Sequence, residues 1–422
     1  MKEPNGQTIT EKILARVSHR ERVRPGDVLY VEPDCATSSD FRTYPLIANT
    51  LDEIGITQIA NPDKVVITVD HCFPAPTTAW ANKHRGLKEW VEHQKIKYFY
   101  NGEGINAQIL AENGHALPGN FLTANDFNTN LGGLGCFSYN NGTPNIISVY
   151  ASGKAWLIVP STIKVELEGD LSLGVVPRDI VTTIMHDLQQ NGKRAVIELT
   201  GSAVTKMDID ERMSLCCERW VYSGAKTAII NPDEKVMEYV KNRAKGEMHP
   251  VTSDSDAKFQ SVMRYDVSKM VPVVARPGDL RDSIPVSEIK GLKVDVVFIG
   301  SCSGGRIHEM RHVAKILKGH HVHPRVLFMV IPPSRQIMLQ MEKEGIMDIL
   351  LQSGAHLGQP SCGLCGGNNY GNLADGEVCV TCSTNNLNGR MGSSTAKIYA
   401  GSPLTAAAAA LKGELVDPRE FL

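Results

Sequence analysis

No stretch of this chain stays apolar long enough to cross a bilayer: the longest bland run, Leu404 to Leu411, falls far short of the roughly 20 residues a spanning helix needs. The polar start, Met1 to Gln7, lacks the apolar core of a secretion signal. No lysine/arginine block is present either, and 44 basic residues against 46 acidic ones leave a net charge of -2. Nothing here would grip a polyphosphate backbone, so neither nucleic acid nor a membrane is expected as a partner. Ten cysteines in 422 residues are too sparse for a disulfide scaffold, which favours metal binding or inert burial in a reducing compartment such as the cytoplasm. Internal repeats are absent, and low complexity is confined to the helix-prone run Ala406 to Ala410.

What is present is alternation of strand and helix patterns. At 422 residues the chain exceeds a single core, so two or three domains are expected. Thr8-x-x-Glu11 is a capping box ahead of Ile13, Leu14 and Val17 and predicts an N-terminal amphipathic helix. Val28 to Val31 reads as a strand. Lys64 to Val69 is nearly continuous in β-branched residues, as in a strand buried on both faces, and delivers Asp70-His71 at its carboxyl end. Ala155 to Pro160 and Ile163 to Leu167 read as strands joined by a turn. They precede a helix with Ile180, Val181, Ile184, Met185 and Leu188 on one face, and then the strand Ala195 to Leu199. The pattern is clearest near the end: strand Val294 to Ile299, a glycine turn with Cys302, a helix closing at Gly319, strand Val326 to Ile331, and a helix capped by Ser334. The Gly- and Asn-rich stretch 102–142 is expected to be loop that shapes a site, and 231–258 and 272–285 to be connections.

The cysteines carry the strongest chemical signal. Cys362 and Cys365, then Cys379 and Cys382, form two CxxC pairs near the spacing of a structural zinc site. Val378 to Cys382 has strand composition, however, so Cys379 and Cys382 point to opposite faces. Cys302, on a strand-ending turn, has no part in that scheme. The alternative is an iron-sulfur cluster on Cys302, Cys362 and Cys365, where three thiolates on four irons leave one iron open to act as a Lewis acid.

The segment Asp295 to Arg306, the Cys362-Gly-Leu-Cys365 turn, Ser383 to Gly392 and the Ser402 to Ala410 helix together resemble the aconitase superfamily, and within it the isopropylmalate dehydratase large subunits. Weaker matches run through Glu11, Asp70-His71, Gly104 with Gln108, Pro118-Gly119, Trp156, Pro160 and Pro232 to Glu234. The resemblance implies three α/β domains, taken as 1–164, 165–285 and 286–422, surrounding a [4Fe-4S] cluster held by Cys302, Cys362 and Cys365. It also implies a mobile fourth domain supplied by a separate small subunit, because the chain stops where those large subunits stop.

Several family positions differ. Ala107 stands for a histidine, Asn128 falls in the motif Asp126-Phe127-Asn128-Thr129 where the family has a second histidine, and Asn385 replaces an arginine. Gly304 replaces an asparagine, and Tyr222 a glutamate. Alanine cannot relay a proton, asparagine does not titrate near neutrality, and losing an arginine removes a bidentate carboxylate clamp. The expected enzyme is therefore a hydro-lyase acting on a small 2-hydroxy carboxylic acid other than 3-isopropylmalate. Asp70, His71 and Asp126 would be its titratable machinery, and Arg390, Asn128, Asn385 and Arg306 its substrate contacts. The rival expectation is a cluster-bearing sensor or binding protein that does no dehydration.

Overall fold

The computed structural model describes residues 6–126, 128–289, 291–367 and 369–422. The capping box forms: Thr8 opens the helix Ile9–Val17, with Glu11 closing the reciprocal bond. Among the described residues no helix is long and apolar enough to cross a membrane.

Three mostly parallel sheets organise the chain. In the first, the strand Cys35–Ser39 lies between Val65–Val69 and Phe121–Ala124, with Tyr98–Asn101 and Phe137–Asn140 at the edges. Every residue of Val65–Val69 is buried, as its β-branched run predicts for a parallel sheet covered on both faces. The second sheet runs Thr227–Ile230, Val196–Thr200, Thr162–Glu168, Ser261–Asp266, all parallel. Pro177–Leu188 packs Ile180, Val181, Ile184, Met185 and Leu188 into its core.

The third sheet centres on Val296–Gly300, flanked by Leu327–Ile331 and Val378–Thr381. Ser334 caps the helix Arg335–Lys343, and the alanine run lies in Pro403–Lys412. One expectation needs correcting. The segment 272–285 is no linker: Val273–Ala275 and Ser283–Pro285 pair with each other and, through Lys397–Ala400, join the third sheet. The sheet boundary thus falls between Asp266 and Val273 rather than at 285. The stretch 102–142 is nearly all buried; it holds the helix Asn106–Glu112 and two strands of the first sheet, and the loop after Phe121–Ala124 carries Asp126 and Asn128. The strands Ala155–Ile158 and Thr162–Glu168 form as expected but serve different sheets, the former pairing antiparallel with Val28–Val31.

The second and third units are tied together by buried polar contacts. Arg178 reaches Glu309 at 2.7 Å with both side chains sequestered, and Arg219 donates to the carbonyls of Ser383 and Gly401. Removing one member of such a pair strands a buried charge, so these contacts restrict how the units can sit against each other.

Candidate active site

The carboxyl ends of parallel strands around a switch point are where open α/β sheets hold ligands. Here two such ends meet. From the first sheet, Cys35–Ser39 runs into Asp40, Phe41 and Arg42, Val65–Val69 into Asp70 and His71, and Phe121–Ala124 into the loop with Asp126 and Asn128. From the third, Val296–Gly300 runs into Cys302 and Val378–Thr381 into Thr384 and Asn385. The Cys362 amide donates to the Asp70 carbonyl at 2.8 Å, Asn130 donates to the Cys302 carbonyl, and Asn369 donates to the Phe73 carbonyl at 2.7 Å. Between them lies a cavity of about 180 Å³ lined by Asp70, His71, Asp126, Asn128, the thiols of Cys302, Cys362 and Cys365, Asn385 and Arg390.

The Cys302 turn is built for close packing. A Cβ on Gly300 would come within 2.5 Å of the Ile331 carbonyl oxygen, so glycine is required there, and Ser301 adopts the left-handed φ of 65° that swings Cys302 toward the cavity. Thr384 Oγ1 lies 3.2 Å from the Cys302 sulfur. Cys365 is held well below the usual thiol range by its contact with Cys362; burial opposes this, and the Arg390 charge and the Thr384 amide reinforce it. Arg390 also donates from Nε to the Cys365 carbonyl at 2.9 Å.

Opposite the thiols, His71 is clamped. Its Nδ1 is 3.0 Å from Asp70 Oδ1 and its Nε2 is 2.9 Å from Asp126 Oδ2. Burial pulls the imidazole toward neutrality, but the Asp70 and Asp126 charges outweigh it and raise its pKa well above the ordinary value. Asp70 accepts a further bond from the Asn106 amide at 2.7 Å. Asn106 also donates to Thr37 and Thr68 and accepts from the Asn128 amide at 3.0 Å, so Asn128 completes a neutral network rather than replacing the proton carrier. Ala107 contributes a methyl group to the wall. Phe127, between Asp126 and Asn128 in sequence, lies outside the described residues.

Arg306 is placed differently from the sequence expectation. It is 1 % exposed, outside the cavity lining, and binds Gln108 and the Cys302 carbonyl. These contacts brace the cysteine turn. Cys379 and Cys382 are buried and also outside the lining, and all ten cysteines are free. Among the described residues, the His/Cys/Asp/Glu group tight enough for a single ion is Asp40, Asp70 and His71, not the paired CxxC set.

Asp40 was not evident from sequence. Its oxygens accept from the amides of Asp70, His71 and Cys72 at 3.0–3.1 Å and from His84 Nε2 at 3.1 Å. Those bonds occupy the carboxylate, which thus anchors the His71 loop. Burial raises its pKa, yet His84, the His71 charge and these amides bring it down to about 2. Tyr222 also lines the cavity, and burial pushes the pKa of its phenol up.

A model of the aconitase family (aconitate hydratase) matches residues 11–291 and 285–413. The chain belongs to the aconitase family. It is 39% identical over 420 residues to a 3-isopropylmalate dehydratase large subunit of Methanopyrus kandleri, covering 99% of this chain and 100% of that protein. A second such subunit, from Pyrococcus furiosus, is 37% identical over 99% of each chain. A probable methanogen homoaconitase large subunit of Methanosarcina mazei is 39% identical over 89% of this chain and 96% of its own. By that membership the chain is an enzyme of the hydro-lyase class, and members of the aconitase family are generally iron-sulfur proteins.

Proposed function

We propose that this chain is the large subunit of a [4Fe-4S]-dependent hydro-lyase acting on a small 2-hydroxy carboxylic acid other than 3-isopropylmalate. What carries the reading is the placing of three thiols, Arg390 and a doubly clamped His71 around one small cavity. The thiols suit a cluster. They share a wall, one is already biased to thiolate, and their sulfurs are not gathered as tightly as a single ion requires. Bound to Cys302, Cys362 and Cys365, the cluster would supply Lewis acidity for the departing oxygen.

The remaining work falls to side chains. Arg390 holds a substrate carboxylate by its fork of N–H donors. His71, charged between Asp70 and Asp126, turns its Nε2–H from Asp126 to the substrate hydroxyl and gives up that proton as the C–O bond breaks, so that water leaves. A base from the small subunit takes the proton from the adjacent carbon, and the C–H electron pair becomes the new C=C bond. Asp126 and Asp70 fix the ring and favour its charged form, while Asn128 and Asn385 offer neutral hydrogen bonds. The free thiols accord with a reducing compartment, the cytoplasm.

The test is anaerobic reconstitution with the small subunit, then assay across 2-hydroxy mono- and dicarboxylates for alkene absorbance. Turnover of at least one acid, lost in His71→Ala, is the expected result. An intact cluster with no turnover of any acid would overturn the proposal.

A further inference from the structure

We infer that Arg42 binds a second anionic group on the substrate, in a cavity whose Asn385 end carries no positive charge. The inference rests on the function proposed above, and it narrows the substrate to a 2-hydroxy acid bearing a second carboxylate or a phosphate.

Arg42 ends the short helix Asp40–Arg42 and lines the same cavity as Arg390 and Asn385. The helix begins at Asp40, whose carboxylate is tied to three amides and His84, so the backbone that presents Arg42 is fixed although its side chain is exposed. Its guanidinium lies 5.9 Å from the centre of the Phe41 ring, and Phe41 stacks on Trp80 at 6.1 Å. An aromatic face partly dehydrates a guanidinium and orients its plane, while leaving its N–H donors free for an anion.

The charges around the cavity point the same way. Asp70 and Asp126 are both engaged by His71, and Arg390 gives its Nε–H to the Cys365 carbonyl. Among the described residues no carboxylate pairs with Arg42. A guanidinium at a cavity mouth, held over a ring and without a carboxylate of its own, is a site for a ligand's anion. Asn385, at its end of the cavity, accepts from the Leu387 amide and offers no positive charge.

The test compares 2-hydroxy acids that differ in their far group. The full chain, loaded anaerobically with iron and sulfide, is titrated calorimetrically with malate, with 2-hydroxybutyrate (a methyl in place of the second carboxylate) and with 3-phosphoglycerate. At least one dianionic acid is expected to bind tenfold or more tighter than 2-hydroxybutyrate. That preference should fall to within about twofold in Arg42→Gln and return in part in Arg42→Lys. A malate preference assigns a carboxylate, and a phosphoglycerate preference a phosphate. A preference unchanged in Arg42→Gln overturns the role of Arg42 and leaves the hydro-lyase reading standing. Binding of none of the three acids to the wild-type chain counts against both.

Discussion

Asp126 Oδ2 lies 2.9 Å from His71 Nε2, across the ring from Asp70 on Nδ1. A ring with a carboxylate at each nitrogen donates from both and keeps its proton past neutrality. On the proposed mechanism His71 is the acid, active while charged. Activity should fall as pH rises through its raised pKa, and its contribution to stability, complete below the unfolded value near 6.5, should fade over the same rise. Asp126→Asn removes one of the two charges and should move the alkaline limb of kcat/KM down by about one pH unit. An unmoved limb would show that another group controls it.

Asp40→Asn tests the anchor beneath that histidine. An amide keeps one acceptor where the carboxylate offered two, so part of the set formed by the Asp70, His71 and Cys72 amides and His84 is left unmet in a buried place. The loss should be about 2–3 kcal/mol at pH 7 in urea unfolding. Asp40 has a depressed folded pKa of about 2, so its stabilisation is present above its unfolded value and is lost as pH falls from 3.8 toward 2. The gap between wild type and variant should narrow over that window. A constant gap would mean the carboxylate charge plays no part.

Part of this site was legible in the sequence because its signals are local. The apolar run before Cys302 made a buried strand, and glycine on either side made its turn, so the thiol's position followed. Asp70 and His71 followed likewise from the run Val65–Val69. Asp40 was hidden because an acid after a strand looks like any surface turn, and its burial depends on amides some 30 positions later. Arg306 misled because a guanidinium in a site loop suggests an anion, whereas Gln108, almost 200 positions earlier, is what it meets. The segment 272–285 looked like a linker because proline bounds it, and the Ala400 that pairs with its Ala275 lies well over a hundred positions later.

Gly304 sits where a side chain has no room. A Cβ there would lie 2.4 Å from the Cys382 sulfur and 2.9 Å from the Gly300 carbonyl oxygen. Restoring the family's asparagine by Gly304→Asn should cost about 1–3 kcal/mol through overpacking. Adding Cys382→Ala should recover part of that loss, a coupling that a double-mutant cycle in thermal or urea unfolding reads directly. Strict additivity would show that the sulfur is not what excludes the side chain.

The cluster assignment separates two sets of cysteines by position. Cys302→Ser, Cys362→Ser and Cys365→Ser each remove a thiol from the cavity wall and should lower iron retained after anaerobic reconstitution several-fold, together with the visible absorbance. Cys379→Ser and Cys382→Ser alter buried thiols outside the lining, so iron per folded chain should match wild type even where stability drops. Circular dichroism on the same samples separates lost ligation from lost folding. Zinc at one per chain with no iron, abolished by Cys379→Ser, would reinstate the paired CxxC site. Iron that survives Cys302→Ser would instead remove that thiol from the ligand set, and with it the reason for a sharp turn held by Arg306 behind the cavity wall.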